Sequence, residues 1–383
     1  MRGQLEESLR QYHAGRGFVL YESFPLLTND PTVLFTNATI TPFKQFFENQ
    51  LPTPHNYALI QRCLRVGGGA GGVGTAHHDP NYSSLFDMFG CGLFNHSYLA
   101  AVAYFIDMLC HAGLPKEKLR FVVPAKSAFA PALLLAGVAE TDIVTINENG
   151  EFWQDWRFGK DGLIGKGLTA VFARDNRTVV SAAEMASEPL SFVEIGNLIH
   201  IYGRTRGENV LPIPHEGFDV GIGMGRLLIA LGNKTLYELT PLLELVKIVS
   251  AYLGMLGCKN VEPGTLRVLT DHLCSVGALV QEGVRPGNKL QAFVLRKLIR
   301  SFLESLWLSV GHATSSADLV SAFMRMYAPE CSTIAVGLIS AEERSLIETL
   351  RRGRALLVKN PSLTPETLMG TYGVRLQLLY LVT

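Results

Sequence analysis

The chain has 383 residues, 48% of them hydrophobic and 18% charged, and its 34 basic and 34 acidic side chains cancel to zero net charge. That composition excludes global disorder and supplies enough apolar material for two or three separate cores. It also excludes nucleic-acid binding through the field of the whole molecule, so any such contact must use a local basic patch.

Leu5, Leu9 and Tyr12 share one face of a helix predicted over residues 4–14. Short strands are predicted at 18–21 and, after the turn at Asn29, Asp30 and Pro31, at 33–35. Residues 58–65 predict a longer strand, with Arg62 and Arg65 on opposite faces of the pleat. Residues 67–74 are almost all glycine. They lack the G-x-x-x-x-G-K-[ST] spacing of a phosphate cradle, and no helix signal follows directly. A mobile loop between two antiparallel strands is expected, continuing through His77, His78, Asp79 and Pro80. The His pair has no third ligand at a suitable spacing, which disfavours metal and favours a surface or phosphate-contacting role. The returning strand is predicted at 84–89, a buried helix at 98–110, a strand at 121–123 and a second helix at 128–138. Phe152, Trp153 and Gln154 sit beside charged residues, and a Gly-rich stretch, 159–167, leads into an apolar run at 168–172. Residues 191–201 predict a strand in which Glu194 and Asn197 are polar among apolar neighbours, and such groups need a partner or a ligand.

The densest signal is Asp219, Val220, Gly221, Ile222, Gly223, Met224, Gly225, Arg226, Leu227. It reads as a strand with a partly bare backbone running into a helix. No Cβ would hold a flat ligand off such a strand. Arg226 at its end can stack on a base or pair with a phosphate. By itself the pattern is equally a Gly-rich turn before a core helix. Beyond residue 233 glycine thins and helices are predicted at 237–256, 266–281, 291–309, 317–327 and 341–358. A domain boundary is therefore expected near 235, dividing the chain into 1–235 and 236–383.

Six cysteines, Cys63, Cys91, Cys110, Cys258, Cys274 and Cys331, are far apart with no C-x-x-C pair. Buried free thiols in a reducing compartment are expected, neither a disulfide framework nor a zinc site. Residues 1–12 are polar and of mixed charge, unlike a secretory signal, and no run reaches the ~18 apolar residues of a membrane span. The expectation is a cytoplasmic protein without membrane contact.

Several of these segments, in order, resemble alanyl-tRNA synthetases. Asp30, Pro31, Thr32, Val33, Leu34, Phe35, Thr36, Asn37 and Ala38, then Phe43 and Lys44, resemble D-P-T-L-L-F-T-N-A…F-K. Gln61, Arg62, Cys63, Leu64 and Arg65 with Gly67 and Gly68 resemble the leading limb of motif 2, Q-[RK]-C-[VI]-R-A-G-G. Phe86, Asp87, Met88, Phe89 and Gly90 resemble its returning limb, F-E-M-L-G, across a loop of matching length. Glu194, Ile195, Gly196, Asn197 and Leu198 resemble E-I-W-N-L, and residues 219–227 resemble motif 3, D-T-G-M-G-L-E-R-L. Arg267, Val268, Asp271 and His272, then 283–288 and 294–300, are similar to the helical tRNA-recognition part. The likeness is colinear from about residue 5 to 305.

The resemblance implies an α+β fold, a class II antiparallel sheet flanked by helices, followed by an all-α domain. It implies activation of a small amino acid, alanine first, by ATP with Mg²⁺ to an aminoacyl-adenylate. Arg65 on its strand would stabilise charge on the α-phosphate. Arg226 would cover the adenine or the γ-phosphate beside Gly223. Phe86 would stack on the base and the Met88 backbone would read it. Asp219 would bind the ammonium of the amino acid over a thin floor at Gly221. Trp153 would close the side-chain pocket, and Asn197 and Ile199 would line it. Asn288 falls where the family reads the acceptor stem of its tRNA, with Arg296, Lys297 and Arg300 placed for phosphates. Without the resemblance, that basic trio reads as a solvated helix face. Class II cores pair through motif 1, so a homodimer is one expected assembly; an apolar terminal helix at 376–382 is another contact surface, or docks on the core.

The departures from the family are equally specific. Gly69 stands for the motif 2 lysine and Gly225 for the motif 3 acid. The family's motif 2 arginine and His pair align with Asn81, Tyr82 and Ser83. The family's T-E-I becomes Thr169, Ala170, Val171, and Gly196 replaces a tryptophan, which is expected to enlarge or reshape the pocket. The sequence stops before an editing domain, as in a truncated paralogue. Three readings follow: an adenylate-forming enzyme acting on tRNA, a tRNA-independent ligase passing an amino acid to a small molecule, peptide or carrier protein, and a non-catalytic regulatory paralogue that binds ATP or tRNA.

Overall fold

The computed structural model describes residues 2–49, 53–66, 75–147, 155–159, 161–174, 181–232, 234–372 and 375–382, apart from the side chains of 369, 371 and 372. The glycine loop at 67–74, with Gly69, and Trp153 lie outside the described residues. Two compact units emerge, Met1–Leu64 with Phe86–Leu236, and Arg65–Leu85 with Tyr237–Thr383.

The first unit is built on a ten-stranded sheet. Its strands are β1 (Val19–Tyr21), β2 (Tyr57–Leu64), β3 (Leu85–Phe94), β4 (Leu119–Pro124), β5 (Ile143–Ile146), β6 (Asp155–Phe158), β7 (Leu163–Ala173), β8 (Phe192–Arg206), β9 (Asn209–Leu211) and β10 (Gly217–Gly223). Their spatial order is β1-β2-β3-β10-β8-β7-β4-β5, with β6 on β7 and β9 on β8. The central pairs are antiparallel; β1 with β2 and β4 with β5 are parallel.

Alternation along the strands decides what each face carries. On one face Phe89, Cys91, Leu93, Leu198, Phe218, Val220 and Ile222 are buried. The helices Arg2–Ala14 and Tyr98–His111 cover them, with His13 4.8 Å from the Phe89 ring and Tyr98 5.2 Å from the Phe218 ring. Ser97 caps the second helix by accepting from the Ala100 N–H at 3.2 Å. The opposite face carries the glycines of β3 and β10. Part of it is sealed by an aromatic cluster of Phe43, Phe46, Phe47, Tyr57 and Phe94 with Ile199 and Ile201. Lys44 fastens that cover: buried, it pairs with Asp30 at 2.5 Å and donates to Thr32 Oγ1 at 2.9 Å and to the Phe158 carbonyl at 2.5 Å.

The second unit packs the helices Leu242–Met255, Pro263–Gln281, Leu290–Val310, Ala317–Tyr327 and Ser332–Lys359. Pro263–Gln281 is its axis, buried continuously from Val268 to Val280. Gly311, at φ 85°, closes the long helix Leu290–Val310 in a left-handed turn that favours glycine.

Four elements differ from expectation. Residues 33–35 form no strand, because Asp30 accepts from the Thr32 N–H and hydroxyl and holds a local turn. His77 and His78 end a short helix, Thr75–His78. Strand β7 runs through the Gly-rich stretch, since Gly165 and Gly167 let the β8 backbone approach within distances a Cβ would block. Near the end of the chain there is a single 3-10 turn, Leu376–Leu378, with Leu378, Leu379 and Val382 buried. No helix among the described residues is long and apolar enough to cross a membrane.

Candidate active site

The glycine face of the first unit gathers most of the residues singled out in the sequence. Asp219 is paired with Gly92 on β3 and Ile199 on β8; Gly221 with Gly90 and Asn197; Gly223 with Met88. Strand β7 extends the two rows with Gly167 beside Ile199 and Thr169 beside Asn197. Strand geometry places roughly 13 Å between Asp219 and Gly223. Phe86 has the same parity as Met88 and lies half-buried at the start of β3.

Asp219 is the electrostatic anomaly of this face. It is 2% exposed, and its Oδ1 has no hydrogen-bond partner. Burial pushes its carboxyl up to about 7, against a smaller lowering by the Tyr57 hydroxyl. Tyr57 Oη is itself buried and lacks a hydrogen bond of normal length. Its ring lies across Gly92, where a Cβ would meet Cε1 at 2.2 Å. Trp156 lies over Gly167 on the same row, and its buried Nε1–H is also without a partner. One row of the sheet thus holds an unpartnered carboxylate oxygen, a hydroxyl and an indole N–H. Buried polar atoms without partners are costly, and a polar ligand satisfies them.

The adjacent row supplies shape. Asn197 accepts from the Thr169 hydroxyl at 2.7 Å, the partner its polar position required. Thr39 occupies the space above Gly90, and the Met88 thioether lies 3.3 Å from where a Cβ of Gly221 would be. A ligand on Gly221 therefore meets a flexible sulfur side chain that can move aside. Gly196 does not enlarge a pocket. The β7–β8 register shifts between Ala170 and Val171, and a Cβ at Gly196 would lie 2.3 Å from the Gly221 carbonyl oxygen.

At the far end, β10 runs directly into the helix Met224–Gly232. The Arg226 stem lies against Gly223, and its guanidinium pairs with Glu194 Oε2 at 2.8 Å and donates to the Glu194 carbonyl at 3.3 Å. Both side chains are about one-third exposed, at 35% and 36%, so the pair can open to a charged ligand. Gly225 has Leu236 Cδ1 2.7 Å from its Cβ position, a flexible group that an acidic side chain would displace.

Arg65 belongs to the second unit. It is exposed, with its N–H on the Ser84 carbonyl at 2.9 Å and its carbonyl accepting from the Tyr82 hydroxyl at 2.9 Å. Asn288 lies exposed just before the helix Leu290–Val310 and accepts from Arg296 Nη1. Arg296 and Arg300 both reach the buried Glu342, at 3.0 and 3.2 Å, and Lys297 is exposed. The two arginines thus join two helices as well as carrying charge. Glu342→Gln will weaken that joint by about 1–2 kcal/mol, read as a lowered urea midpoint with an unchanged slope; an unaltered midpoint would show the joint to be inert.

Reading the sequence alone missed Tyr57, Thr39 and Trp156, which come from segments without a local motif. Gly90 and Gly92 were findable: they alternate along β3 as Gly221 and Gly223 do along β10.

Residues 5–376 match the family described as tRNA synthetases class II (A). The chain belongs to that family. The alanine–tRNA ligase of Nitrosomonas europaea is 28% identical to this class II chain over 392 residues, covering 97% of it and 44% of the relative. That of Idiomarina loihiensis is 29% identical over 375 residues, covering 92% and 42%. This synthetase-family chain therefore spans less than half the length of these relatives. Among solved structures, apo histidyl-tRNA synthetase of S. aureus overlaps 60% of this chain and 65% of its own, at 10% identity and a TM-score of 0.36.

Proposed function

We propose that this protein activates a small amino acid, alanine first, with ATP to form an aminoacyl-adenylate. The observation that carries the reading is the buried Asp219 carboxylate, with its Oδ1 unpartnered, on the glycine-bearing strand that ends at Arg226. An α-ammonium group supplies the counter-charge and the hydrogen bonds that Asp219 and Tyr57 lack. Asn197 and Ile199 border the amino acid, Gly221 and Gly223 let the ligand lie on the backbone, and Phe86 and Met88 flank the adenine. Arg226 meets phosphate once it releases Glu194, and Arg65 stabilises the charge that gathers on the α-phosphate. Mg²⁺ travelling with ATP would take most of its ligands from phosphates and water, and Glu194, on release from Arg226, would be the carboxylate offered to it. When bound, the ion neutralises phosphate charge. Residues 1–235 would do this chemistry in a cytoplasmic setting, and 236–383 would receive an acceptor.

Transfer to the acceptor stem of a tRNA is the first reading, with Asn288, Arg296, Lys297 and Arg300 as its contacts. One observation favours a small-molecule, peptide or carrier-protein acceptor instead: Arg296 and Arg300 are already committed to Glu342, and Asn288 to Arg296.

Amino-acid-dependent exchange of pyrophosphate into ATP, measured over a panel of amino acids without tRNA, tests the activation step. Exchange is expected with one small amino acid. ATP binding without exchange for any of them, with or without total tRNA, would point to a non-catalytic regulatory paralogue.

A further inference from the structure

Tyr82 and Ser84, in the limb that leads back into β3, bond the backbone of Arg65, and Ser83 and Ser84 are in turn bonded to one buried carboxylate. The Arg65 N–H donates to the Ser84 carbonyl at 2.9 Å, and the Tyr82 hydroxyl donates to the Arg65 carbonyl at 2.9 Å. Both backbone polar groups of Arg65 are therefore set by this limb. Asp271, 1% exposed in the helix Pro263–Gln281, accepts from the Ser84 N–H at 2.7 Å, the Ser84 hydroxyl at 2.6 Å and the Ser83 hydroxyl at 3.0 Å. Two of these hydrogen bonds hold Ser84 through both its N–H and its hydroxyl and leave it little freedom.

The same helix grips the other end of the segment. Arg267 donates to the Ala76 and His77 carbonyls at 2.8 and 2.6 Å, satisfying the end of the short helix Thr75–His78. Gly264 allows this approach, since a Cβ there would lie 2.5 Å from the His77 carbonyl oxygen. His77 also reaches Glu262 at 3.5 Å. Pro263–Gln281 thus touches residues 76–77 through Arg267 and residues 83–84 through Asp271.

We propose that Asp271 is a positioning residue for Arg65, acting through Ser84. The proposal rests on the reading of Arg65 as the α-phosphate ligand. Asp271 touches no substrate. Its effect is on placement, and misplacement of a catalytic group by about 1 Å costs roughly 10²-fold.

The test has two readouts on full-length protein. Amide hydrogen exchange in Asp271→Ala is expected to show lost protection at Arg65 and Ser84, while the amides of Val276 and Leu279 in the same helix stay protected. Pyrophosphate exchange is expected to fall by roughly 10²-fold in kcat, with little change in KM for the amino acid. Ser84→Ala removes only the hydroxyl bond and leaves the helix untouched; a smaller loss of the same kind is expected, and this variant decides the matter should Asp271→Ala not fold. Unchanged protection of Arg65 in a folded variant overturns the proposal, as does a loss confined to KM. A wild-type protein without pyrophosphate exchange removes the adenylation reading alone, and the amide measurement then decides whether Asp271 holds Arg65.

Discussion

Asp219→Asn will abolish amino-acid-dependent pyrophosphate exchange and, in the same protein, raise the stability of the ligand-free state above neutral pH. Loss of the charge partner for an α-ammonium group costs roughly 2–5 kcal/mol, or about 30- to 5,000-fold in kcat/KM. The stability gain follows from linkage. The folded carboxyl is raised to about 7 from its ordinary 3.8, so the folded state holds this proton more tightly than the unfolded chain. The stabilising contribution is complete below about pH 4 and is lost as pH rises through about 7. Three pH units correspond to about 4 kcal/mol. Unfolding free energies of wild type and Asp219→Asn, compared from pH 5 to 8, are expected to diverge with rising pH in favour of the variant. Parallel curves would mean that Asp219 has an ordinary carboxyl. The bound ammonium must also compete with that proton, so amino-acid affinity should fall about tenfold per unit below pH 7.

The second large effect is a failed restoration. Gly196 stands where the family segment E-I-W-N has tryptophan, and putting the tryptophan back will destroy the fold rather than rebuild a pocket. The Cβ position of Gly196 is 2.3 Å from the Gly221 carbonyl oxygen and 2.8 Å from Ile222 Cα, both backbone atoms of β10. Neither can swing away without breaking the ladder that carries Asp219. Even Gly196→Ala should cost about 2–4 kcal/mol, beyond the usual price of overpacking because the obstacle is main chain. Thermal unfolding checks this; an alanine variant with the wild-type midpoint would show that β8 can be re-registered, and the tryptophan could then be accommodated.

Why the site was half legible follows from the physics of each part. Strand β10, the helix after it and the Asp219, Gly221, Gly223 row were readable because alternation in a strand is a local rule. The partners of Glu194 and Asn197 were foreseen as a need, since polar groups inside an apolar strand demand them, yet nothing local says that they are Arg226 and Thr169. Tyr57 over Gly92 and Thr39 over Gly90 are contacts between distant segments, set by tertiary packing. Gly196 misled for a related reason. A missing side chain reads as free space in a sequence, whereas here the backbone of β10 fills that space. In the helical half, periodicity located the helices, but the basic trio could not be divided by pattern into the two arginines held by Glu342 and the exposed Lys297.

The pairing of β3 with β10 also has a consequence for how the chain acquires its structure. Phe94 and its partner Gly217 are separated by most of the first unit, and the strands that meet there are rich in glycine. Glycine brings little intrinsic preference for an extended conformation, and closing so long a loop must be paid for before any contact rewards it. The central seam of the sheet is therefore expected to zip late, after the helices and the flanking strands have formed. Until then β3 presents an open edge. A nascent chain halted before Gly217 is in that condition, and it is the stage at which strand-to-strand association between copies would compete with folding.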